Sequence, residues 1–581
     1  MRRTSMILES DFYKQAHAEQ YPEGITKLIS YATARMSRMP KEMCGDKLTV
    51  FGIQAYVKDF LIERFNETFF NVPLEEAMAE YNEIIGPTFP IQYVNTGKFE
   101  ALHKLGYLPV EVGCLPEGTR VPIRSAFELP EGQCQIPFMY IINTHPDFPW
   151  VTEFLESVTS SEVWYPMAIA NQAYYYRQIV NKWYDVTGCD SNARKSAIAE
   201  FGFRGGKSSD AAIKASSAFL TSFNKTATIP AIKYMHDYYG DPIGEIGGGM
   251  ISTEHSVMCS NFAVDGDEET FLKKLFSEIY PAGALSVVMD TYDYWANLER
   301  CGEGHLKNII MNREGTVFFR GDSGDPVDII CGHEVVGSET ILSELENLFN
   351  DTLNLSESRR GVLAGYLGKN ICIENVDAGE YFLYHVNMNG TTELLRKLTD
   401  VEVLGTVGLL WSMFGGTVNE AGYKVLDSHV RAIYGDSITP NRANQIYQRL
   451  AKKKFAACNV ALGAGSFSTQ CAESPDGRLF PFTRDSYGIA VKATWCMNEN
   501  SGEEYKLFKN PKTDTGKFKK SQKGLIYVTT DENGELIAKD GYTVETLPSE
   551  GNLLQPIFRD GKMLRETTLA EIRDRLHEGD F

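Results

Sequence analysis

Arginines, aspartates and glycines recur in this chain at the ends of short apolar runs, where their chemistry suits phosphate and sugar hydroxyls. The richest stretch is Phe319-Arg320-Gly321-Asp322-Ser323-Gly324-Asp325-Pro326. Four others follow the same plan: Ala199-Glu200-Phe201-Gly202-Phe203-Arg204-Gly205-Gly206, Ser286 to Asp290, Ala432-Ile433-Tyr434-Gly435-Asp436-Ser437, and Val460 to Ser466. Arginines pair bidentately with phosphate oxygens, and glycine turns expose backbone N–H groups to anions. Carboxylates suit ribose hydroxyls or a hydrated Mg²⁺. The competing use of each aspartate is as a plain helix cap after a strand. Five tips of one chemistry weigh against that bland use at every position, and point to a phosphorylated sugar with a divalent metal.

Chemistry of this kind needs strands that end together. Parallel sheets and barrels place their sites at the carboxyl ends of strands, so Arg204, Arg320, Asp290, Asp322 and Asp436 are expected to share one pocket. After Asp436, Thr439-Pro440 reads as a cap followed by proline at the first helical position, with Ile446, Tyr447 and Leu450 continuing at helical spacing. Helices are also expected after Asp290, over 292–298, and after Arg204, over 211–220. These units predict an α/β architecture. Ile53, Tyr56, Val57, Phe60 and Leu61 fall at helical spacing and predict a core helix over 51–65. The flanks are richer in proline, glycine and β-branched residues, as in 108–151, and predict short antiparallel strands. The fold expected is an irregular α/β barrel core domain over 161–470, with a second, mainly β domain built from 1–160 and 471–581.

Composition removes several function classes. The chain has 581 residues and 43% hydrophobic content, and no apolar run approaches the ~20 residues that span a bilayer. The amino terminus has too short an apolar stretch for a secretory signal, so a cytoplasmic location is expected. Eleven cysteines without a C-x-x-C pair and ten histidines without zinc-type spacing predict reduced thiols and no structural zinc. A net charge of -20 disfavours nucleic-acid binding. The basic stretch over 506–523 reads either as a solvated loop or as a flap facing phosphate.

Taken together, Asp11-Phe12-Tyr13-Lys14-Gln15-Ala16-His17, Gln20-Tyr21-Pro22, Phe51-Gly52-Ile53-Gln54, Leu115 to Gly118, Trp164-Tyr165-Pro166, Phe201 to Gly205, Glu254-His255-Ser256, Asp290 to Asp293, Arg320 to Pro326, Gly435-Asp436 and Phe482 to Asp485 resemble the nicotinamide phosphoribosyltransferase family in content and order. The resemblance covers nearly the whole chain. It implies transfer of phosphoribosyl from phosphoribosyl pyrophosphate to nicotinamide in NAD salvage, with Mg²⁺ and with ATP as co-substrate. It implies that Arg204, Arg320 and His255 serve the pyrophosphate, that Asp322 and Asp436 hold the ribose hydroxyls, and that Asp290 lies near a metal carried mainly by the pyrophosphate. Gly463, Gly465, Ser466 and Arg484 match positions that receive the product's 5′-phosphate; Arg35, Lys509 and Lys517 match positions reaching phosphates. Phe201 and Tyr13 match a pair that stacks on the base, the tyrosine coming from a neighbouring subunit, so a homodimer with shared sites is implied. His255 matches a histidine that ATP phosphorylates, and adjacent Glu254 is expected to orient it and raise its basicity.

Two departures from the family pattern stand out. The family aspartate that accepts a hydrogen bond from the nicotinamide amide falls at Ala227, which keeps a nicotinate or relaxed specificity open. The interval from Asp322 to Asp436 is long, and the excess is expected to form an ordered insertion over about 331–405, with a helix at 339–349 and a strand at 381–386. A non-catalytic relative, or an unrelated sugar-phosphate enzyme on the same fold, are the remaining alternatives.

Overall fold

Six short runs become parallel strands: Ile198–Glu200, Ile251–Ser252, Leu285–Val288, Val317–Gly321, Val430–Tyr434 and Val460–Ala464. The computed structural model describes residues 3–349, 355–513 and 521–581. The chain packs as two units, one of residues 1–177, 202–248 and 466–581, the other of 178–201 and 249–465.

In the second unit the strands lie side by side as a parallel half-barrel, in the order Ile198–Glu200, Val460–Ala464, Val430–Tyr434, Val317–Gly321, Leu285–Val288, Ile251–Ser252. The register sets Arg320 beside Val288 and Ile433, and Glu200 beside Ala464, so the carboxyl ends align. Leu285–Val288 is buried throughout, as a strand covered on both faces must be. Helices Tyr294–Cys301, Pro326–Cys331 and Pro440–Lys452 follow three of the strands.

The long interval after Asp322 is a module with its own core. Helices Thr340–Glu346 and Glu357–Ala364 pack Ile341, Leu345 and Leu363 against Ile371, Ile373 and Val386 of a four-stranded sheet. The strands run Val335–Ser338, Asn370–Asn375, Glu380–Val386, Thr392–Leu398 in that order. Its ends meet at Gly332 and Gly405, both at positive φ, 67° and 71°. A Cβ on Gly332 would stand 2.5 Å from Gly405 N, so glycine is required by the contact and by the backbone. Lys453 clasps this neck, its ammonium donating to Cys331 O at 2.6 Å and Val403 O at 2.8 Å. Desolvation by burial there lowers its pKa to about 8.

The first unit centres on a seven-stranded antiparallel sheet, ordered Glu503–Lys506, Ile489–Asn498, Lys27–Ala34, Pro137–Asn143, Val110–Cys114, Gln555–Arg559, Lys562–Met563. It draws on both flanks of the chain. Ile53–Tyr56 opens a helical run that continues to Phe70, burying Ile53, Tyr56, Val57, Phe60, Leu61 and Phe65. By packing, residues 161–177, 202–248 and 466–470 group with this unit, whereas the sequence reading placed them in the barrel domain. The reason is local: Tyr239 stacks on Phe51 at 5.5 Å and donates to Glu117 at 2.9 Å. Arg573 likewise donates to Leu220 O at 2.9 Å and Phe223 O at 3.1 Å. Glu117 is buried, and its carboxylate also accepts from the N–H groups of Gly52 and Gln54 at 3.0 and 2.7 Å.

Candidate active site

Helix capping and chemistry divide the aspartates of the second unit between them. Asp293 caps Tyr294–Cys301, its carboxylate accepting from Ala296 N at 3.0 Å. Asp325 caps Pro326–Cys331, accepting from Val327 N at 2.9 Å and Asp328 N at 3.2 Å. Thr439 caps Pro440–Lys452. Asp290, Asp322 and Asp436 cap no helix, so the bland use that competed for each of them falls to neighbouring residues.

Asp290 ties two strand ends together. Its Oδ2 accepts from Asp322 N at 2.9 Å and Ser323 N at 2.8 Å. Its Oδ1 is buried without a hydrogen-bond partner in the protein, a costly state that a water, a ligand or a cation would relieve. His255 faces it, with Nε2 3.8 Å from Asp290 Oδ1 and 3.9 Å from Asp322 Oδ2. Arg320 Nε lies 3.3 Å from Asp322 Oδ2, and its Nη1 donates to Ser252 Oγ at 2.9 Å. Burial is the leading cause that raises the Asp322 pKa; Arg320 and His255 pull it down, and Asp290 and Asp436 push it up. Asp436 is exposed and accepts from the Ser437 hydroxyl at 3.0 Å.

Beside this charged group lies a flat apolar surface. Phe201 follows Ile198–Glu200, and its N–H donates to Ala464 O at 2.8 Å. A Cβ on Gly463 would lie 2.3 Å from the Phe201 ring, and one on Gly435 would lie 3.1 Å from it. The two glycines therefore exist to let the ring lie across neighbouring strand ends, a contact their place in the sequence did not disclose. Tyr294 supports the Asp322 turn from behind, its ring 3.3 Å from where a Gly321 Cβ would be and its hydroxyl 2.8 Å from Thr406 Oγ1.

Glu254 does not orient His255 as expected. Its carboxylate accepts from the Ser256 hydroxyl, while His255 Nδ1 contacts Thr291 Oγ1 at 3.2 Å. The geometric reason is that Glu254 sits at the non-helical position before the helix His255–Asp265, its backbone extended and its side chain exposed. Thr291 and Ser323, which lie inside motifs that sequence did single out, and Ser252, two positions before Glu254, were missed as site residues.

Of the remaining predicted residues Gly465 ends the second unit, and the other described ones lie in the first. Arg204 is exposed on the turn Phe203–Gly205. Ser466 opens a turn over Ser466–Thr469, and its Oγ is 2.1 Å from where a Gly205 Cβ would stand, so that glycine too is fixed by close approach. Arg484 is exposed on a turn capped by Thr483. Arg35 Nε donates to Gly488 O at 3.4 Å. Tyr13 is 57% exposed on Phe12–Ala16. The backbone N–H of Lys509 donates to the Ser521 hydroxyl at 2.8 Å and its carbonyl accepts from Ser521 N at 3.0 Å; Lys517 lies outside the described residues. Ala227 is exposed between buried Thr226 and Thr228, and it offers no carboxylate.

The donors near His255 bear on whether a divalent ion would fit here. Among the described residues no group of three or more His, Cys, Asp or Glu could hold a metal alone. The orphaned Oδ1 of Asp290 is nonetheless the hard, anionic oxygen that Mg²⁺ accepts as one ligand among waters and phosphate oxygens.

Likeness to known proteins runs along nearly the whole chain. Residues 390–546 match the nicotinate phosphoribosyltransferase family, and residues 5–83 match the nicotinamide phosphoribosyltransferase N-terminal domain. A nicotinamide phosphoribosyltransferase of Xanthomonas campestris is 25% identical, covering 98% of this chain and 97% of that protein. The structure of human nicotinic acid phosphoribosyltransferase is a loose likeness, with TM-score 0.44 and 13% identity over 98% of this chain and 93% of that one. A nicotinamide phosphoribosyltransferase of Acinetobacter baylyi is 33% identical over 575 residues, 97% of this chain and 96% of that protein. With a likeness of that depth along its whole length, the chain belongs to the nicotinamide phosphoribosyltransferase family.

Proposed function

We propose that this protein transfers the phosphoribosyl group of phosphoribosyl pyrophosphate to the ring nitrogen of nicotinamide, giving nicotinamide mononucleotide and pyrophosphate for NAD salvage. The observation that carries the reading is the joining of an aromatic face, Phe201 over Gly435 and Gly463, to a phosphate-and-ribose cluster of Arg320, Asp322, Asp290 and His255 at aligned strand ends. The ring nitrogen attacks the anomeric carbon as the carbon–oxygen bond to pyrophosphate breaks, and the leaving group departs with the electron pair. Such a transition state needs no covalent catalyst. It needs positive charge at the leaving oxygens and negative charge near the developing oxocarbenium. Arg320 supplies the first and Asp322 the second. Mg²⁺, when bound through the pyrophosphate, would neutralise further leaving-group charge beside Asp290.

His255 supports a role for ATP: its side chain is 48% exposed, and Thr291 holds Nδ1 so that Nε2 faces the two aspartates. A phosphoryl group transferred from ATP to this ring would store energy for the synthesis. The exposed ring of Tyr13 supports a homodimer in which it covers the partner's base site. A cytoplasmic setting fits both substrates, and no helix among the described residues is long and apolar enough to cross a membrane.

Nicotinate is the second reading, favoured by the absence of a carboxylate at Ala227 and by the match of residues 390–546 to the nicotinate family. Incubation with phosphoribosyl pyrophosphate, Mg²⁺ and equal nicotinamide and nicotinate decides between them. Nicotinamide mononucleotide as the main product is expected; nicotinate mononucleotide alone would transfer the assignment, and neither product would refute both.

A further inference from the structure

Two cysteines far apart in sequence meet beside the amino-terminal end of the Val460–Ala464 strand, away from the strand tips that carry the chemistry. Thr187 ends the helix Glu156–Thr187, Gly188 turns the chain at φ 63°, and Cys189 follows. Cys458 sits in the turn Ala457–Asn459. Its backbone N–H donates to Cys189 Sγ at 3.2 Å, and the Thr187 hydroxyl lies 3.3 Å from the same sulfur. The two side chains lie near enough for each to shift the ionisation of the other. The turn that presents Cys189 is fixed: Asn419 Nδ2 donates to Thr187 O at 2.7 Å and to Gly188 O at 3.1 Å, and Ala457 N donates to Thr187 Oγ1 at 3.1 Å.

The sulfur of Cys189 thus accepts from the Cys458 backbone N–H, and a donor aimed at sulfur favours a thiolate. The Cys458 thiol is the largest cause that lowers the Cys189 pKa to about 7; burial opposes it, and the Thr187 hydroxyl and the Cys458 and Ala457 N–H groups add to it. Cys458 is shifted upward for the same reason, since its proton is shared with its partner. The Arg431 guanidinium adds positive charge beside Cys458, and the hydroxyls of Tyr184 and Tyr447 are the other titratable groups facing the pair. Both cysteines are partly exposed, whereas Cys114, Cys134, Cys301, Cys331, Cys372 and Cys496 are buried. A nucleophilic sulfur, a second cysteine beside it and access to solvent are the three requirements of a dithiol that exchanges with a small disulfide.

We propose that Cys189 and Cys458 form a thiol–disulfide exchange site whose substrate is a low-molecular-weight aliphatic disulfide and whose product is an internal Cys189–Cys458 bond. In the first step the Cys189 thiolate attacks one sulfur of the small disulfide, whose S–S bond breaks. One thiolate leaves with the electron pair and takes up a proton. In the second step Cys458 gives its proton to solvent and attacks Cys189 Sγ, expelling the other small thiolate. The protein is oxidised by two electrons, and the small disulfide is reduced to two thiols. The sequence alone could not have shown this pair, because 269 positions separate its members and neither lies in a C-x-x-C motif.

The test treats the full-length protein with oxidised glutathione at about pH 7.5, above the lowered thiol pKa, quenches it with an alkylating agent and maps the peptides by mass spectrometry. A cross-linked peptide containing Cys189 and Cys458, reversed by dithiothreitol, is the expected result. Cys458→Ser is expected to accumulate glutathione on Cys189, because the resolving sulfur is gone, and Cys189→Ser is expected to leave Cys458 unmodified. Glutathione found only on exposed Cys259, with no cross-link in the unsubstituted protein, would overturn the proposal. So would a Cys458→Ser protein whose Cys189 stays reduced. The unsubstituted protein's cross-link map decides the matter even if a variant fails to fold.

Discussion

Replacing Gly463 by alanine tests whether the Phe201 ring is the surface on which the base lies. The added Cβ would stand 2.3 Å from Cδ2 and 2.4 Å from Cε2 of that ring, and 2.9 Å from Gly435 Cα. Carbon atoms rest about 3.5–4.0 Å apart, so the ring must retreat by roughly 1 Å or more. The backbone of Gly463 cannot yield instead, because it is held in register with Ala199 on the adjacent strand. Overpacking of this kind costs about 1–3 kcal/mol in stability. A displaced aromatic face forfeits stacking worth about 0.5–1.5 kcal/mol, which is roughly a 2- to 13-fold rise in KM for the base. A graded series sharpens the test. Gly435→Ala would bring a Cβ to 3.1 Å from the ring, and Gly465→Ala meets nothing within 4 Å. The expected order of effect on the nicotinamide KM, measured at saturating phosphoribosyl pyrophosphate, is Gly463 first, Gly435 second and Gly465 last, with thermal midpoints falling in the same order. An unchanged KM in folded Gly463→Ala protein would refute the assignment of Phe201 as the platform.

Four further outcomes follow from the same geometry. In Asp290→Asn the amide oxygen can still accept from the Asp322 and Ser323 N–H groups, so circular dichroism should be unchanged while turnover falls about 10²-fold or more; turnover within threefold of the unsubstituted enzyme would remove Asp290 from the site. Burial raises the Asp322 pKa, so its ionised form opposes folding, and that cost is absent below the unfolded aspartate pKa and complete once pH rises above the folded one. Asp322→Asn should therefore stabilise the protein at neutral pH, with a gain that vanishes under acid denaturation, and should erase an acid limb of kcat/KM lying above the ordinary aspartate range; a destabilised variant at neutral pH would contradict the sign. Asp325→Ala removes a cap that accepts two N–H groups, and should cost about 1 kcal/mol in denaturant titration while leaving the pH profile in place. Because Gly332 and Gly405 touch, residues 333–404 should be excisable through a short glycine linker with the rest still folded. We propose the module as a lid or subunit contact, so excision should change the kinetics or the sedimentation behaviour, and no change in either would dismiss both roles.

Part of this site is legible from local pattern alone. The strand–tip–helix rhythm is written in apolar runs that stop at glycine or charge, and a strand's carboxyl end is where side chains escape the sheet, so Arg320, Asp322, Asp290 and Asp436 can be named from type and position. The inserted module is readable as well, because the periodicities that predict a helix at 339–349 and a strand at 381–386 are local; the structure has Thr340–Glu346 and Glu380–Val386. What local pattern cannot assign is which of two neighbouring acids does which job. Asp290 and Asp293, or Asp322 and Asp325, are alike in sequence, and only backbone direction makes Asp293 and Asp325 the caps and leaves the other two facing His255.

The inventory is therefore written in the chain: parallel strands, the residue types at their ends, the lack of metal-type spacing and the presence of an extra module. The pairings come only with folding. His255 takes Thr291 and two aspartates rather than adjacent Glu254, residues 202–248 pack with the antiparallel unit, Gly435 and Gly463 make room for Phe201, and Cys189 finds Cys458. The cause is one of range. Propensity, capping and periodicity act over a few residues and so leave a signature in the chain, whereas close approach between distant segments depends on strand order and register, which long-range packing sets.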